Sequence, residues 1–202
     1  MRERPIPFSA PMVRAILSGA KVQTRRVVKP QPRILAGELL CWKDDALTDC
    51  QMAARSPYGQ PGDRLWVREA WRTSPLFDDK PPRELPDFAP LRYEADEALR
   101  GAWAGYGYGH QGKYRPPMFM PRWASRINLE VTVVRVERLQ NISEADAAAE
   151  GVEEWARVAC AAGNPYGLTS DGYVELLWSE INGRASWDAN PWVWCVEFKR
   201  AA

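Results

Sequence analysis

Trp192-Val193-Trp194-Cys195-Val196-Glu197-Phe198 decides how the rest of the chain is read. One charge interrupts seven residues, and Trp192, Trp194, Val196 and Phe198 share one face at the strand period of two. The run therefore predicts a strand buried in the middle of a sheet, with Cys195 as a small buried hydrophobe. A second strand is read from Ile127, Leu129, Val131 and Val133, followed by Val134, Val136 and Leu139. Its change of phase at Val133-Val134 predicts a bulge. Arg64-Leu65-Trp66-Val67-Arg68-Glu69 alternates as well, is entered through the turn Pro61-Gly62-Asp63, and puts Trp66 on the arginine face.

Short helices separate these strands. Ser9 predicts an N-cap, Pro11 fits the first turn, Met12, Val13, Ile16 and Leu17 make an apolar stripe, and Gly19 stops the helix. Ser143 with Asp146 reads as a near capping box for a second helix closed by Glu150-Gly151. A third, opened by Ser170 or Asp171, carries Val174, Leu177, Trp178 and Ile181 and stops at Gly183. Residues 29–63 read mostly as connection, with Ile34 to Trp42 as one short strand. Residues 74–122 read as an irregular excursion packing through Trp103, Tyr106, Tyr108 and Tyr114, with Leu91-Arg92-Tyr93 as its best strand. No regular βαβ alternation and no GxxxxGK[ST] occurs, so neither a nucleotide fold nor a cofactor is expected. The expectation is one α+β domain over 1–202, a small mixed β-barrel with flanking short helices and two proline-rich insertions, at about 29–63 and 74–122.

The 202 residues are 46% hydrophobic, enough for an ordinary core. Cys41, Cys50, Cys160 and Cys195 form no CxxC pair, and His110 is the only imidazole, so no metal site or disulfide framework is expected. No window reaches the roughly 18 apolar residues of a spanning helix, which excludes a membrane span and, with unpaired cysteines, predicts a cytoplasmic protein. The charge is unevenly spread. Residues 1–33 hold eight Lys/Arg against Glu3 alone, residues 113–138 hold six against Glu130 and Glu137, and residues 141–180 hold eight acids against Arg157. If the two basic segments meet, they form a positive surface suited to phosphate or nucleic acid; otherwise they are solvated charge.

Gly19-Ala20-Lys21-Val22-Gln23-Thr24-Arg25-Arg26 concentrates the reactive residue types just past a helix stop. A lysine becomes a base when burial or neighbouring cations lower its pKa, and a threonine becomes a nucleophile when such a base is within reach. Lys21 and Thr24 fall on opposite faces of an ideal strand, so their cooperation requires a break between them; without it all four polar groups are surface charges steering an anion. Arg25 and Arg26 fit anion recognition. Arg68 belongs to the same candidate surface, Glu69 can pair with Arg68 or Arg26 or accept from a base, and Trp71 can stack on one. Glu150 ends a helix where the macrodipole opposes a carboxylate, a local violation that points to a role.

Phe8-Ser9-Ala10-Pro11-Met12-Val13, the GxKxxTRR segment at Gly19–Arg26, Gly62-Asp63-Arg64-Leu65-Trp66-Val67-Arg68-Glu69, and Ser179-Glu180-Ile181-Asn182-Gly183 with Trp187 and Asn190-Pro191-Trp192-Val193-Trp194 together resemble the ASCH domain family. More narrowly they resemble its longer, phage- and prophage-associated members. The resemblance implies a PUA-like β-barrel and a role in recognising RNA, a nucleotide or a modified nucleoside. Compact members hydrolyse the amide of N4-acetylcytidine with a lysine, a threonine and a glutamate, which fall on Lys21, Thr24 and Glu150, with the following arginine on Arg26. By that resemblance Lys21 is the base, Thr24 the nucleophile or water-positioning group, Glu150 the proton-transfer group, and Arg26 steadies the substrate or the oxyanion. The departures are the second arginine Arg25 and the two insertions, which either close a nucleoside-sized pocket or open a surface for a polynucleotide. A role as a phage assembly or interaction protein is the remaining alternative.

Overall fold

The computed structural model describes residues 1–35, 40–96, 112–152 and 177–201. In chain order its strands are β1 (Glu3–Pro7), β2 (Gln23–Val27), β3 (Arg33–Ile34), β4 (Leu40–Trp42), β5 (Asp45–Leu47), β6 (Arg64–Arg68), β7 (Trp71–Arg72), β8 (Arg92–Tyr93), β9 (Asn128–Arg138) and β10 (Trp192–Arg200). Its helices are α1 (Ala10–Ser18), α2 (Asp49–Ala53), α3 (Glu144–Ala149), α4 (Ser179–Asn182) and α5 (Ala185–Asp188), with several 3-10 turns. The class is α+β with a mainly β core. No described helix is long and apolar enough to cross a membrane.

The main sheet has the order β1-β6-β9-β10-β2, antiparallel except for β1 beside β6. β10 lies between β9 and β2, as its uninterrupted apolar run requires, and Val193, Trp194, Cys195 and Val196 are all buried on its two faces. The bulge on β9 is real and falls one residue before the expected point. Val133 pairs with Glu197 and Val131 with Phe198, which leaves Thr132 as the extra residue. Ile6, Leu65, Val67, Leu129, Val196 and Phe198 build the core on which α1 lays Met12, Val13 and Ile16. Gly19 takes φ 82° and ends α1, and the Ser143–Asp146 capping box opens α3.

The described residues form an open sheet and not a closed barrel, with β1 and β2 as its edges. The chemistry of β1 explains the open seam. Arg2 and Phe8 bond to β6 through their main chain, so the odd-numbered Pro5 and Pro7 turn their backbone outward, where proline supplies a carbonyl but no N–H. A backbone ladder there lacks donors. The gap is spanned by a side chain instead: Arg26 of β2 donates from Nη2 to the Pro7 carbonyl at 2.6 Å.

Residues 29–63 are more regular than expected. β3, β4 and β5 form a separate three-stranded sheet, and Thr48 caps α2 with a full capping box to Gln51. Trp42 packs edge-on against Trp194 at 5.8 Å, which ties this unit to the main core. In the second excursion Arg92–Tyr93 pairs with Trp71–Arg72, as Leu91-Arg92-Tyr93 suggested. The expected packing of Trp103, Tyr106 and Tyr108, the position of His110 and Cys160, and the start of the third helix at Ser170 or Asp171 lie outside the described residues.

Candidate functional site

Lys21 is delivered by the helix stop. After Gly19 the chain folds back so that the Lys21 N–H donates to the Ala15 carbonyl at 3.0 Å, and Lys21 then forms an isolated β-bridge with Glu150, the residue that caps α3. Gly151 permits this approach. It holds φ 79°, and a Cβ there would stand 2.9 Å from the Lys21 Cβ and 3.0 Å from that of Ala15. Val22 is exposed between Lys21 and the first residue of β2, and its carbonyl accepts from the Phe198 N–H at 2.9 Å.

The Lys21 ammonium is completely buried and donates to Glu150 twice, at 2.7 Å to Oε2 and 2.8 Å to the main-chain oxygen, with the Phe8 ring 5.8 Å away. Burial pushes its pKa below the ordinary lysine value; the Glu150 charge and hydrogen bond pull it back, while Arg26 and Arg25 add to the depression.

Arg25 has a different place from the one expected. Register sets Gln23 opposite Glu197, and Arg25, Cys195 and Arg135 in one cross-strand row, so these side chains share one face of the sheet. On that face Arg25 reaches Glu137 at 2.6 Å, Asp146 at 3.1 Å and Glu150 at 3.4 Å, and takes a further acceptor in Gln23 at 2.7 Å. Arg135 bonds Glu137, Asp146 and Glu197 beside it. Arg25 is therefore buried among carboxylates and does not offer its guanidinium to an external anion; it holds Glu150 in place. Burial raises the Asp146 carboxyl, but the Gln23 hydrogen bond and the Arg25 and Arg135 charges outweigh it and hold Asp146 well below the usual carboxylate range. Burial pushes the Cys195 thiol up to about 12, which leaves it an inert neighbour.

A cavity of about 270 Å³ opens beside this network, and Thr24, Arg25, Arg26 and Glu150 line it together. Lys21 stands one step behind, in contact with Glu150. The Thr24 hydroxyl makes no hydrogen bond among the described residues, Lys21 and Glu150 included. Apolar walls come from Met12, Leu177 and Trp178, and polar groups from Lys29, Tyr58 and Asn182. The Trp178 indole N–H is buried without an acceptor among the described residues, an unused donor in a cavity-lining residue. A second cavity of about 400 Å³ adjoins the first through Met12, Arg26 and Ile181 and extends past Phe8 to Tyr114. Alone the first is just below the roughly 300–1,000 Å³ of small-molecule sites; with its neighbour it reaches that range.

Lys21, Thr24, Arg25, Arg26 and Glu150 thus come together from segments more than a hundred residues apart. Arg68, Glu69 and Trp71 line neither cavity. Arg68 lies over Trp66 at 4.6 Å and donates to the Met118 carbonyl. Glu69 is buried and paired with neither Arg68 nor Arg26 but with both arms of Arg126, at 2.9 and 3.0 Å. Trp71 is completely buried in a small cluster with Leu85, Met120 and Ala124, so its faces are closed to a base. Alternation along β6 and β7 told which side a residue faces and nothing of its depth. Tyr58, Trp178, Asn182 and the acids Glu137, Asp146 and Glu197 were not anticipated as site residues. The polar positions Gln23 and Arg25 on β2 against Glu197 on the apolar β10 were the signal available for them. Among the described residues no group of His, Cys, Asp and Glu could hold a metal ion. Comparison with family models, with curated proteins and with solved structures found no match to this chain.

Proposed function

We propose that the protein is an amidohydrolase acting on a small acylated nucleoside, with N4-acylated cytidine as the substrate class that its ASCH-like segments imply. The observation that carries the reading is the buried Lys21–Glu150 pair, 2.7 Å between Nζ and Oε2, at the wall of a cavity that Thr24 and Glu150 line together. The cavity suits one nucleoside and not a strand. That, with Trp71 buried and Arg25 engaged, favours catalysis on a nucleoside over RNA binding or an assembly role. In this reading the open sheet is a PUA-like core whose β1–β2 seam Arg26 spans in place of a backbone ladder.

The chemistry follows from the groups present. The oxygen of Thr24, or of a water it positions, attacks the acyl carbon while its proton passes to the Lys21–Glu150 pair, in the form with neutral Lys21 and ionised Glu150. Arg26 steadies the oxyanion. As the C–N bond breaks, the pair returns the proton to N4, releasing cytidine. Where Thr24 is the nucleophile, a water then cleaves the acyl-threonine ester and frees the carboxylic acid.

The test is release of cytidine and acetate from N4-acetylcytidine, with longer acyl chains in parallel. Lys21→Ala, Thr24→Ala and Glu150→Ala are each expected to lower kcat by about 100-fold or more while the protein stays folded. Undiminished turnover in all three, or none by the unaltered protein on any acyl chain, would sink the reading.

A further inference from the structure

Arg25 meets the reactive pair from the side that Lys21 leaves open. Lys21 Nζ takes Glu150 Oε2 at 2.7 Å, and Arg25 Nη1 takes Oε1 of the same carboxylate at 3.4 Å. Two cations with fully buried side chains thus share one carboxylate. They are not equivalent. A guanidinium keeps its charge at any working pH, whereas a buried ammonium can shed its own, so the ammonium is the one of the two that yields.

Arg25 is itself fixed from several sides. Its Nε and Nη2 donate to Glu137 of β9 at 3.1 and 2.6 Å, Nη2 meets Asp146 of α3 at 3.1 Å, and Nη1 donates to Gln23 of its own strand at 2.7 Å. Arg135 on β9, Arg26 on β2, and Cys195 and Glu197 on β10 complete the titratable and charged groups around it. The Glu137 and Asp146 side chains are 17% and 21% exposed against 2% for Glu150, so Arg25 stands between acids that water reaches and one that it does not. Solvent weakens the outer pairings, and the charge of Arg25 is felt most strongly inward. Burial is the main reason that the Lys21 pKa is low; Glu150 opposes it, and the Arg26 and Arg25 charges reinforce it.

We propose that Arg25 is a positioning residue of the reaction: it acts through Glu150, fixing that carboxylate against Lys21 Nζ and biasing the pair toward the neutral amine that serves as base. This rests on the hydrolase reading for the use of that amine. The bias itself is an equilibrium property and is measured without turnover. It also has a sign that packing alone does not supply. Removing the Arg25 charge and removing the charge of its partner Glu137 must move Lys21 in opposite directions, because one takes a cation from the cluster and the other an anion.

The experiment titrates the Lys21 amine by NMR on the full chain with isotope-labelled lysine, its resonance identified by its loss in Lys21→Met. Arg25→Gln is expected to move the Lys21 titration up by about one pH unit or more, Glu137→Gln to move it down, and Arg25→Lys to return it most of the way. The rising limb of kcat/KM on N4-acetylcytidine should follow the same shifts. A Lys21 titration that Arg25→Gln leaves in place, one that both neutralisations move the same way, or a kcat/KM limb that does not follow it overturns the inference. Should Arg25→Gln not fold, Glu137→Gln decides: a downward shift supports the inference, and no shift or an upward one overturns it. Failure of the hydrolase reading looks different: N4-acetylcytidine is not cleaved, yet the Lys21 titration still moves up in Arg25→Gln and down in Glu137→Gln.

Discussion

Lys21 and Glu150, 129 residues apart, meet by side chain at 2.7 Å, by side chain to main chain at 2.8 Å, and by a backbone bridge. Three contacts between one pair of buried residues make this junction a structural joint, and it is also the proton-transfer point of the proposed reaction.

The joint can be weighed by a double-mutant cycle. Removing Glu150 leaves the buried Lys21 ammonium without its carboxylate, so Glu150→Leu should cost roughly 3–5 kcal/mol, and Lys21→Met should cost less because Arg25 still meets Glu150 at 3.4 Å. The double substitution should cost less than the two single costs together by at least about 1 kcal/mol. Urea denaturation of the four proteins measures this, and additive losses would show that the pair is not coupled.

The pH dependence of turnover follows from the same pair. Burial, with Arg26 and Arg25, holds the Lys21 pKa below its ordinary 10.5. The neutral amine is the working base, so kcat/KM should rise with pH through that depressed value and level off below 10.5. Stability moves the same way. Between the folded and unfolded values the native protein binds fewer protons than the unfolded chain, so stability increases with pH across that window, and Lys21→Met abolishes the increase. A profile that begins to rise only at 10.5 or above contradicts the assignment.

Acid should act through Asp146. Although burial raises its carboxyl, Gln23, Arg25 and Arg135 lower it further, so the stability it contributes is complete above the unfolded value of 3.8 and is lost as pH falls through the folded one. Asp146→Asn should cost roughly 1–3 kcal/mol at neutral pH, allowing for its partial exposure, and should flatten the acid limb of a stability titration. An unchanged acid limb in the variant argues against the network's role.

Trp71 separates core from site. Trp71→Ala should destabilise by roughly 3–5 kcal/mol, because it empties a fully buried indole from its cluster. Trp71→Phe, milder and still folded, should leave the affinity for cytidine where it was. A loss of affinity in the folded Trp71→Phe protein would return the indole to the binding surface.

Much of this architecture was legible because its signals are local. β10 and β9 declare themselves by period and apolar content, α1 and α3 by their caps and closing glycines. Ile34 to Trp42, read as one strand, contributes to both β3 and β4, while β5 was hidden because three residues show no period, and α2 because its Thr48–Gln51 box sits among turn residues. The open seam depends on which way Pro5 and Pro7 face, and that parity is set by pairing with β6, not by β1 itself. The Lys21, Thr24 and Glu150 grouping came from resemblance to a family pattern. The acids around Arg25 had no comparable signal: Glu137, Asp146 and Glu197 are each one polar position on separate elements, and only strand register makes them neighbours. Glu69 was read toward its sequence neighbour Arg68, whereas its partner Arg126 arrives 57 residues later.

Backbone closure of a barrel would have set the diameter of its mouth once, by strand number and stagger. Here the span from β1 to β2 is a guanidinium on the Pro7 carbonyl, and the same Arg26 borders both cavities. The boundary between them is therefore set by a side chain and not by a backbone ladder. A torsional change at Arg26 alters the boundary that the two cavities share without disturbing a single ladder hydrogen bond.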